Sequence, residues 1–480
     1  MAPYTLPAEQ VVKGIKSGEL SVEEYISHLF ERIERVEPKI NAFVTLNKEE
    51  ALNRARILDK KIGEGKQSGP LAGVAFSIKD NICTKGMKTS CASKMLESYI
   101  PAYDATVIKR LLAADAIIIG KANLDEFAMG STTEFSRYGP TRNPWDTRRV
   151  SGGSSGGSAA SVAAFECTAS LGSDTGGSVR CPASFCSVVG LKPTYGLVSR
   201  FGLVSYANSL EQIGPIGRTV SDVVSFLNVI AGPDENDHTT TRANKPSYSL
   251  KERKGLRVGL VKEFIEGADS AVSKIIYEAA DTLAKQECYC EEVSLPSVEY
   301  ALASYYTIAT AEASSNLARY DNIRYGFDMN PEGYEWNSYF VRARGNFGEE
   351  AKRRIIVGSY VLSSGYYGKY YMKAHQARSL LKREMESLFN RYDALVGPTM
   401  PILPFKIGER IDDPLKMYLV DIDTVVANLT GMPAISVPAG FADGLPVGLQ
   451  IMTDQFAEQT LVDVAYLFEQ TAKVQRSPEL

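Results

Sequence analysis

Six short, continuously apolar segments, separated by longer amphipathic ones, restrict the folds that this chain can adopt. They lie at 73–78, 116–120, 167–172, 255–261, 393–397 and 434–440. Strands that are apolar along their whole length are buried on both faces, as happens when helices cover both sides of a sheet. Apolar residues at helical spacing lie between many of these segments, for example over 106–114, 270–286 and 458–471. This alternation predicts an α/β fold.

Two further helices are predicted near the N-terminus. Ser21 and Glu24 have the spacing of a capping box, and apolar residues then repeat at helical spacing as far as Val36. A second helix is predicted over 48–61. The polar segment 233–254 is a candidate loop or linker, but strand-like sequence resumes directly after it. We therefore expect a single domain spanning residues 1–480.

Charge and cysteine content disfavour several classes of protein. The net charge of -4 lacks the basic surplus of most nucleic-acid-binding chains, although an uneven distribution could still contain a basic patch. No apolar run reaches the roughly 18 residues of a membrane-spanning helix, and the first residues do not resemble a secretory signal. The seven cysteines are scattered and lack zinc-site spacing. We expect a cytoplasmic protein with no membrane segment and no metal.

Histidine is scarce, and this limits the catalytic mechanisms available. The chain contains only His28, His238 and His375. They fall in an amphipathic helix, a polar segment and a charged helical stretch. None has the sequence context of a general base in a Ser-His-Asp mechanism. Hydrolytic chemistry in this chain would therefore need a different base.

The segment 151–180 contains two glycine-rich turns, at 152–158 and 172–178, separated by a predicted helix and strand. Three interpretations compete. A flexible linker is disfavoured because apolar elements flank both turns closely. A phosphate-binding loop is disfavoured because neither a GxxxxGK[ST] nor a GxGxxG order is present. The third interpretation is a loop that carries a nucleophile.

A serine that attacks an amide needs a base and backbone N–H groups that stabilise the oxyanion. In the sequence DTGGS, Gly176 and Gly177 lack side chains and would let consecutive N–H groups approach a developing negative charge. A helix beginning near Val179 would add its positive N-terminal end.

Lys79 is the candidate base, since it ends an apolar predicted strand where a charge is unexpected. An exposed lysine would be protonated at neutral pH and could not act as a base. Burial penalises the cation and lowers its pKa, so that a neutral amine could accept a proton through an intervening serine. The alternative is a lysine at a strand end that points into water.

Three separated motifs resemble those of the amidase signature family: SIKDN around Lys79, GGSSGGSAASVAA, and GSDTGGSVRCPASFCSVVGLKPTYG. The resemblance implies Ser178 as nucleophile, Ser154 as bridging serine after a cis Gly153–Ser154 bond, and Lys79 as base. It implies oxyanion donors among the N–H groups of Thr175, Gly176, Gly177 and Ser178. It also implies a three-layer α/β/α fold with a large central mixed sheet, and a signature core at about 70–220.

Further segments, at 119–146, 311–326, 347–371 and 421–440, resemble the A subunits of glutamyl-tRNA(Gln)/aspartyl-tRNA(Asn) amidotransferases. This resemblance implies a glutaminase that passes ammonia to a B subunit, while a small C subunit embraces the A–B pair. ATP and Mg²⁺ would be used by the B subunit, which would also hold the misacylated tRNA. No cofactor is expected on this chain. Glu-tRNA(Gln), Asp-tRNA(Asn) or both stay open as acceptors.

Glutamine carries an α-carboxylate and an α-ammonium, so a specific pocket needs one fixed cation and one fixed anion. In the matching segments these are Arg354 and Asp421, and Tyr305 and Ser131 are expected in the pocket wall. Lys352 and Arg353 adjoin Arg354, so a solvated basic helix face is an alternative. The sequence departs from the family pattern at Phe135–Tyr138, Cys181 and Leu197, where the pocket or an ammonia path could differ.

Two other functions are alternatives for this sequence. A stand-alone amidase acting on another primary amide would use the same three residues. A catalytically inactive scaffold for tRNA-modifying partners is disfavoured, because Lys79, Ser154 and Ser178 are all present.

Overall fold

The structure is a computed structural model and describes residues 2–241, 245–321, 324–327, 329–410, 413–474 and 477–480. The strands are β1 (Phe43–Leu46), β2 (Ala75–Lys79), β3 (Ile117–Ala122), β4 (Arg142–Asn143), β5 (Asp146–Val150), β6 (Ala169–Asp174), β7 (Val189–Lys192), β8 (Gln212–Gly217), β9 (Arg257–Val261), β10 (Tyr289–Val293), β11 (Ala394–Pro398), β12 (Ala434–Ala442) and β13 (Leu445–Met452).

The first eight helices are α1 (Ala8–Ser17), α2 (Val22–Ile40), α3 (Lys48–Gly63), α4 (Thr106–Ala113), α5 (Gly156–Ala163), α6 (Arg180–Cys186), α7 (Val220–Ile230) and α8 (Lys262–Glu266). The others are α9 (Ser270–Ala284), α10 (Ala301–Leu317), α11 (Trp336–Arg344), α12 (Glu349–Leu362), α13 (Tyr371–Phe389), α14 (Pro414–Leu419), α15 (Val425–Thr430) and α16 (Glu458–Ala472). Short 3-10 helices cover Pro3–Thr5, Lys94–Leu96, Glu126–Ala128 and Pro296–Tyr300.

An 11-stranded sheet forms the centre of the fold, in the order β1-β3-β2-β6-β8-β7-β12-β13-β11-β9-β10. Strand β2 runs parallel to β3 and β6, and β9 runs parallel to β10 and β11. The other neighbours are antiparallel. Strands β4 and β5 pair separately. The predicted α/β fold with a large mixed sheet is confirmed.

Helices pack on both faces of this sheet. In β11, the neighbouring residues Leu395 and Val396 point to opposite faces, as successive strand residues do. Both are buried, and they belong to two different hydrophobic clusters. Helices α9 and α16 contribute to one cluster, and α10, α13 and α15 to the other. None of the helices in the described ranges combines the length and apolar character that crossing a membrane requires.

The six predicted strands correspond to β2, β3, β6, β9, β11 and β12, and the predicted helices near the N-terminus to α2 and α3. Ser21 caps α2, its Oγ accepting a hydrogen bond of 3.1 Å from the Glu24 N–H. Strands β1, β4, β5, β7, β8, β10 and β13 were not predicted. The sequence of β8, QIGPIG, contains a proline and two glycines, and β10 is an edge strand with mostly exposed residues.

The candidate linker 233–254 does not divide the sheet. Strand β7, before it, pairs with β12, after it, and Gly190 lies opposite Ser436. Residues 242–244 of this segment lie outside the described residues. We propose that the chain forms a single domain.

Candidate active site

Lys79 is the last residue of β2, and its side chain is fully buried. The Nζ atom donates hydrogen bonds to Ser154 Oγ at 2.7 Å and to the Ser173 carbonyl at 3.2 Å. Burial lowers the pKa of Lys79 to about 7, while the carboxylates of Asp125 and Asp174 act in the opposite direction. The lysine therefore does not point into water, and a substantial fraction of it is neutral near pH 7.

The two glycine-rich turns meet beside Lys79. The peptide bond Gly153–Ser154 is cis, as the resemblance implied. The Ser155 N–H donates to the Ser178 carbonyl at 3.1 Å, which brings Ser178 beside the bridging serine. Ser154 is fully buried, but Ser178 is 8% exposed. Of the three predicted reacting residues, Ser178 is thus the one that an incoming substrate can reach.

Asp174 shapes the loop that carries Ser178. Its carboxylate accepts hydrogen bonds from the N–H groups of Gly177 at 2.8 Å and Val179 at 3.1 Å, and it pairs with Arg180 at 3.0 Å. Burial alone would raise the pKa of Asp174, but the Arg180 guanidinium overrides this effect and holds the pKa below its ordinary value. The carboxylate is therefore a permanent anion that fixes the loop.

This arrangement changes the expected set of oxyanion donors. The Gly177 N–H bonds to Asp174 and is not free for a substrate. The N–H groups of Thr175, Gly176 and Ser178 have no hydrogen-bond acceptor among the described residues. The expectation for Gly177 therefore differs from the structure, and three donors are left for an oxyanion.

Arg180 ties the same loop to the C-terminal part of the chain. Its Nη1 donates to the Thr424 carbonyl at 2.9 Å and to Gln450 at 2.6 Å, and its Nη2 donates to Asn428 at 2.7 Å. Arg180 is fully buried, so these acceptors replace its water shell. Asp174 and Arg180 were not predicted from the sequence as residues of the site. A carboxylate and a guanidinium six residues apart, in a segment with few other charges, could have indicated them.

The two glycines of the loop are required by their neighbours. Gly177 has a φ of 131°, a conformation that other residues rarely adopt, and a Cβ there would overlap Thr424. A Cβ on Gly176 would overlap the ring of Tyr305. Thr424 Oγ1 also donates to the Gly176 carbonyl at 2.6 Å. Tyr305, a predicted pocket residue, thus lies directly against the loop that carries Ser178.

Asp421 lies at the same place and is buried. Its Oδ2 accepts hydrogen bonds from Ser131 Oγ at 2.8 Å and from the Tyr306 hydroxyl at 2.7 Å. Burial raises the pKa of Asp421 to about 6, because the charged form loses its water. Its carbonyl accepts from Thr424 Oγ1 at 3.0 Å. Asp421 and Ser131 are therefore brought together, one contact away from the loop.

Arg354 projects from the buried face of α12. Its Nε pairs with Glu350 at 2.7 Å, and its Nη1 donates to the Tyr206 hydroxyl at 2.7 Å. The guanidinium carbon lies between 5.3 and 5.5 Å from the ring centroids of Tyr206, Tyr306 and Tyr418. The Nη2 atom has no hydrogen-bond partner in the described part of the chain. Arg354 is thus a buried cation with a free donor, not part of a solvated face.

The aromatic wall around Arg354 was not predicted. Tyr306 stacks on Tyr418 at 4.0 Å between centroids and also bonds to Asp421, so it connects the two charges of the pocket. No pattern in the sequence links residues 206, 306 and 418. Glu350 offered a weak signal, since it precedes Arg354 by one helical turn.

Asp125 connects the pocket to the bridging serine. It is fully buried, and its carboxylate accepts hydrogen bonds from the N–H groups of Thr133 at 2.9 Å and Phe135 at 3.1 Å. Its own N–H donates to the Ser154 carbonyl at 3.3 Å. The loop that carries Ser131 is therefore fixed from the same residue that contacts Ser154.

Two of the three departures from the family pattern lie near this loop. Phe135 donates its N–H to the Asp125 carboxylate, and Cys181 places its Sγ 3.6 Å from the Ser131 carbonyl. Leu197 is a buried core residue. Among the described residues, no group of three or more His, Cys, Asp or Glu is arranged to hold a metal ion.

Comparison with known proteins adds to this geometry. Residues 24–462 match the amidase family. The A subunit of glutamyl-tRNA(Gln) amidotransferase from Carboxydothermus hydrogenoformans is 53% identical over 482 residues, or 99% of each chain. Its counterpart in Cenarchaeum symbiosum is 52% identical over 472 residues, covering 98% of each chain.

Solved structures extend the likeness. The crystal structure of the A subunit of glutamyl-tRNA(Gln) amidotransferase from Thermotoga maritima has a TM-score of 0.83 at 41% identity, covering 99% of this chain and 98% of that chain. A 6-aminohexanoate cyclic dimer hydrolase has a TM-score of 0.85 at 27% identity, covering 100% and 99%.

Proposed function

Because this chain belongs to the amidase family, we propose that it hydrolyses glutamine as the glutaminase subunit of a tRNA-dependent amidotransferase. The observation that carries the proposal is a partly neutral, buried Lys79 hydrogen-bonded to Ser154, beside Ser178, which is 8% exposed. A buried cation, Arg354, and a buried carboxylate, Asp421, both contact Tyr306. Amidase chemistry needs the first part, and an α-amino acid amide needs the second.

In the proposed reaction, Ser178 Oγ attacks the side-chain carbonyl of glutamine. Its proton passes to Ser154 Oγ, and the proton of Ser154 passes to neutral Lys79. The N–H groups of Thr175, Gly176 and Ser178 stabilise the oxyanion. As the carbon–nitrogen bond breaks, the proton returns along the same path to the leaving ammonia. Water then cleaves the glutamyl ester and releases glutamate.

Substrate recognition is assigned to the two pocket charges. Arg354 offers its free Nη2 to the α-carboxylate, and Asp421 accepts hydrogen bonds from the α-ammonium. Ser131 and Tyr306 donate hydrogen bonds to Asp421. Tyr305 lies against Gly176 in the loop that carries Ser178. A stand-alone amidase for an uncharged amide would have no use for a buried cation and a buried carboxylate in its pocket.

The partners are inferred from the relatives, which are themselves A subunits of amidotransferases. We propose a complex with B and C subunits in the reducing cytoplasm. ATP and Mg²⁺ would act on the B subunit, which would hold Glu-tRNA(Gln) and, in some settings, Asp-tRNA(Asn). The thiols of this chain are all free, which is compatible with a reducing compartment.

The two pocket charges should matter for glutamine but not for a small uncharged amide. We expect Arg354→Met and Asp421→Asn each to lower kcat/KM for glutamine roughly 30-fold or more. This factor corresponds to a loss of about 2–5 kcal/mol in transition-state stabilisation, because a charge of the substrate stays unpaired. Hydrolysis of propionamide should change much less. Lys352→Met, which removes the neighbouring cation paired with Glu349, is the matched control. Equal losses on both amides would mean that the pocket is assigned wrongly.

The isolated chain should be a slow glutaminase. Ammonia released at neutral pH is mostly protonated, so a donor site is useful only when an acceptor site consumes its product. Adding the B and C subunits with Glu-tRNA(Gln) and ATP should therefore raise the rate of glutamate release. Glutamate release and tRNA amidation would be measured side by side. Full speed from the isolated chain, unchanged by these partners, would favour the stand-alone amidase.

A further inference from the structure

The outer side of α12 and the turn into α13 carry apolar and aromatic side chains that are exposed or, for Tyr366, half-buried. We call this group the tyrosine face; it consists of Ile356, Val357, Tyr360, Tyr366, Tyr367, Tyr370 and Met372. Ile356 is 68% exposed and Tyr360 48%. Contiguous exposed apolar patches of this kind are typical of interaction sites.

The members of the tyrosine face contact one another. Ile356 and Tyr360 are one turn apart on the same side of α12. The ring centroid of Tyr366 lies 4.3 Å from that of Tyr360 and 5.8 Å from that of Tyr370. The face is therefore a preformed surface, and its rings are already held in place before any partner arrives.

The border of this face is positively charged. Residues 351–383 contain eight lysines and arginines and no aspartate or glutamate, and two of these cations, Lys369 and Lys373, lie beside the face. Lys369 Nζ lies 5.6 Å from the ring centroid of Tyr366, and Lys373 follows on α13. Both lysines are exposed, and neither forms an ion pair within the described ranges. A partner of negative charge would complement them.

A protein surface fits this face better than a nucleic acid does. Nucleic-acid platforms use free aromatic rings on which bases stack. Here the rings of Tyr360, Tyr366 and Tyr370 pack on each other, and the aliphatic Ile356 and Met372 offer nothing to a phosphate. Tyrosine and methionine are typical of protein interfaces. A second copy of this chain would place the same lysines against each other.

We propose that the tyrosine face docks an acidic, partly apolar surface of the protein subunit that receives the ammonia. This inference rests on the proposed function and adds the place of contact. It also links docking to the pocket, because the opposite side of α12 carries Arg354. Gly358 of α12 packs directly on the backbone of Thr310 in α10, the helix that carries Tyr305. Docking thus holds the helix pair that forms the glutamine pocket.

The test uses two double variants, Ile356→Ser/Tyr360→Ser and Lys369→Glu/Lys373→Glu. Matched controls are Tyr289→Ser, a 71% exposed tyrosine on the edge strand β10, and Lys13→Glu/Lys16→Glu on the exposed side of α1. Binding of the B–C subunit pair would be measured by calorimetry at two salt concentrations. We expect both face variants to weaken binding about tenfold or more, and the controls to leave it unchanged. The charge variant should also lose part of the salt dependence.

Activity gives a second readout. In the assembled complex, the face variants should raise the KM for glutamine, while the slow activity of the isolated chain stays as in the wild type. If the wild-type complex amidates tRNA and the face variants bind the subunits normally, the docking inference is wrong and the proposed function stands. If the wild-type chain does not bind the subunits at all, both are wrong. If Lys369→Glu/Lys373→Glu instead abolishes tRNA binding and leaves subunit binding intact, the face binds RNA and the inference is overturned.

Discussion

Replacing Ser178 by alanine should remove glutamine hydrolysis, with a loss on the order of 10⁴-fold or more in kcat. The reason is that Ser178 Oγ is the only atom proposed to form a bond to the substrate. Ser154→Ala should remove most of the activity as well, since the proposed proton path from Ser178 passes through Ser154 Oγ, which accepts a hydrogen bond from Lys79. Because groups that act as a unit lose activity together, the double variant should be little worse than Ser178→Ala alone.

A property of the complex separates a chemical role from misfolding. With Ser178→Ala, glutamine-dependent amidation of tRNA should stop, while added ammonium salt should still support it, because we propose that the acceptor chemistry lies on another protein of the complex. Ser187→Ala, a serine outside the loop, is the matched control. Loss of the ammonium-dependent reaction would indicate a complex that no longer assembles, and retained glutaminase activity would mean that another residue is the nucleophile.

Replacing Lys79 by methionine should lower kcat by a comparable factor and remove a pH dependence. Lys79 acts as a base only when neutral, and burial lowers its pKa to about 7. In the wild type, kcat/KM should therefore rise about tenfold per pH unit below pH 7 and level off above it. The variant with His28, His238 and His375 all replaced by glutamine should keep this rise. If kcat/KM no longer rose with pH in that variant, a histidine would have to act as the base.

The same residue should leave a signature in stability. Between about pH 7, the pKa of the folded state, and the ordinary lysine pKa of about 10.5, the unfolded chain binds a proton at Lys79 that the folded chain does not. The free energy of unfolding contributed by this residue therefore increases with pH over that window. Lys79→Met lacks this contribution. The free energy of unfolding of the wild type should therefore increase relative to that of the variant as pH rises. A constant difference in the free energy of unfolding, measured by urea titration, would mean that Lys79 is charged in the folded state.

Lys79 and the glycine-rich turns could be singled out because their chemistry can be inferred from short sequence motifs, whereas the proposed role of Ser154 came only from the resemblance to the amidase signature family. A lysine at the end of an apolar strand and serines among glycines are unusual, and they lie together in the structure as expected. Six continuously apolar strands were predicted, but β7 and β13 were not, although both are buried along their whole length. Strand β10 was missed, because its exposed residues at the sheet edge read as a loop.

The pocket was predictable only in part. Arg354 and Asp421 carry charges that glutamine demands, but Tyr306 and Tyr418 reach them from other parts of the chain and have no local signal. Gly177 was expected to donate to the oxyanion, and only the position of the Asp174 carboxylate reveals that its N–H is occupied. The near-neutral total charge likewise gave no indication that the segment 351–383 lacks aspartate and glutamate.

The hydrogen bonds from Arg180 to Thr424, Asn428 and Gln450 have a consequence for how the enzyme is made. A ribosome finishes Lys79, Ser154 and Ser178 long before it reaches these three residues. Until they emerge, Arg180 has only the Asp174 carboxylate as an acceptor, and Asp421 has been made only shortly before Thr424. A nascent chain, or one terminated before these residues, would thus contain every proposed reacting side chain and still be unable to release ammonia, so that activity begins only after Gln450 has been made.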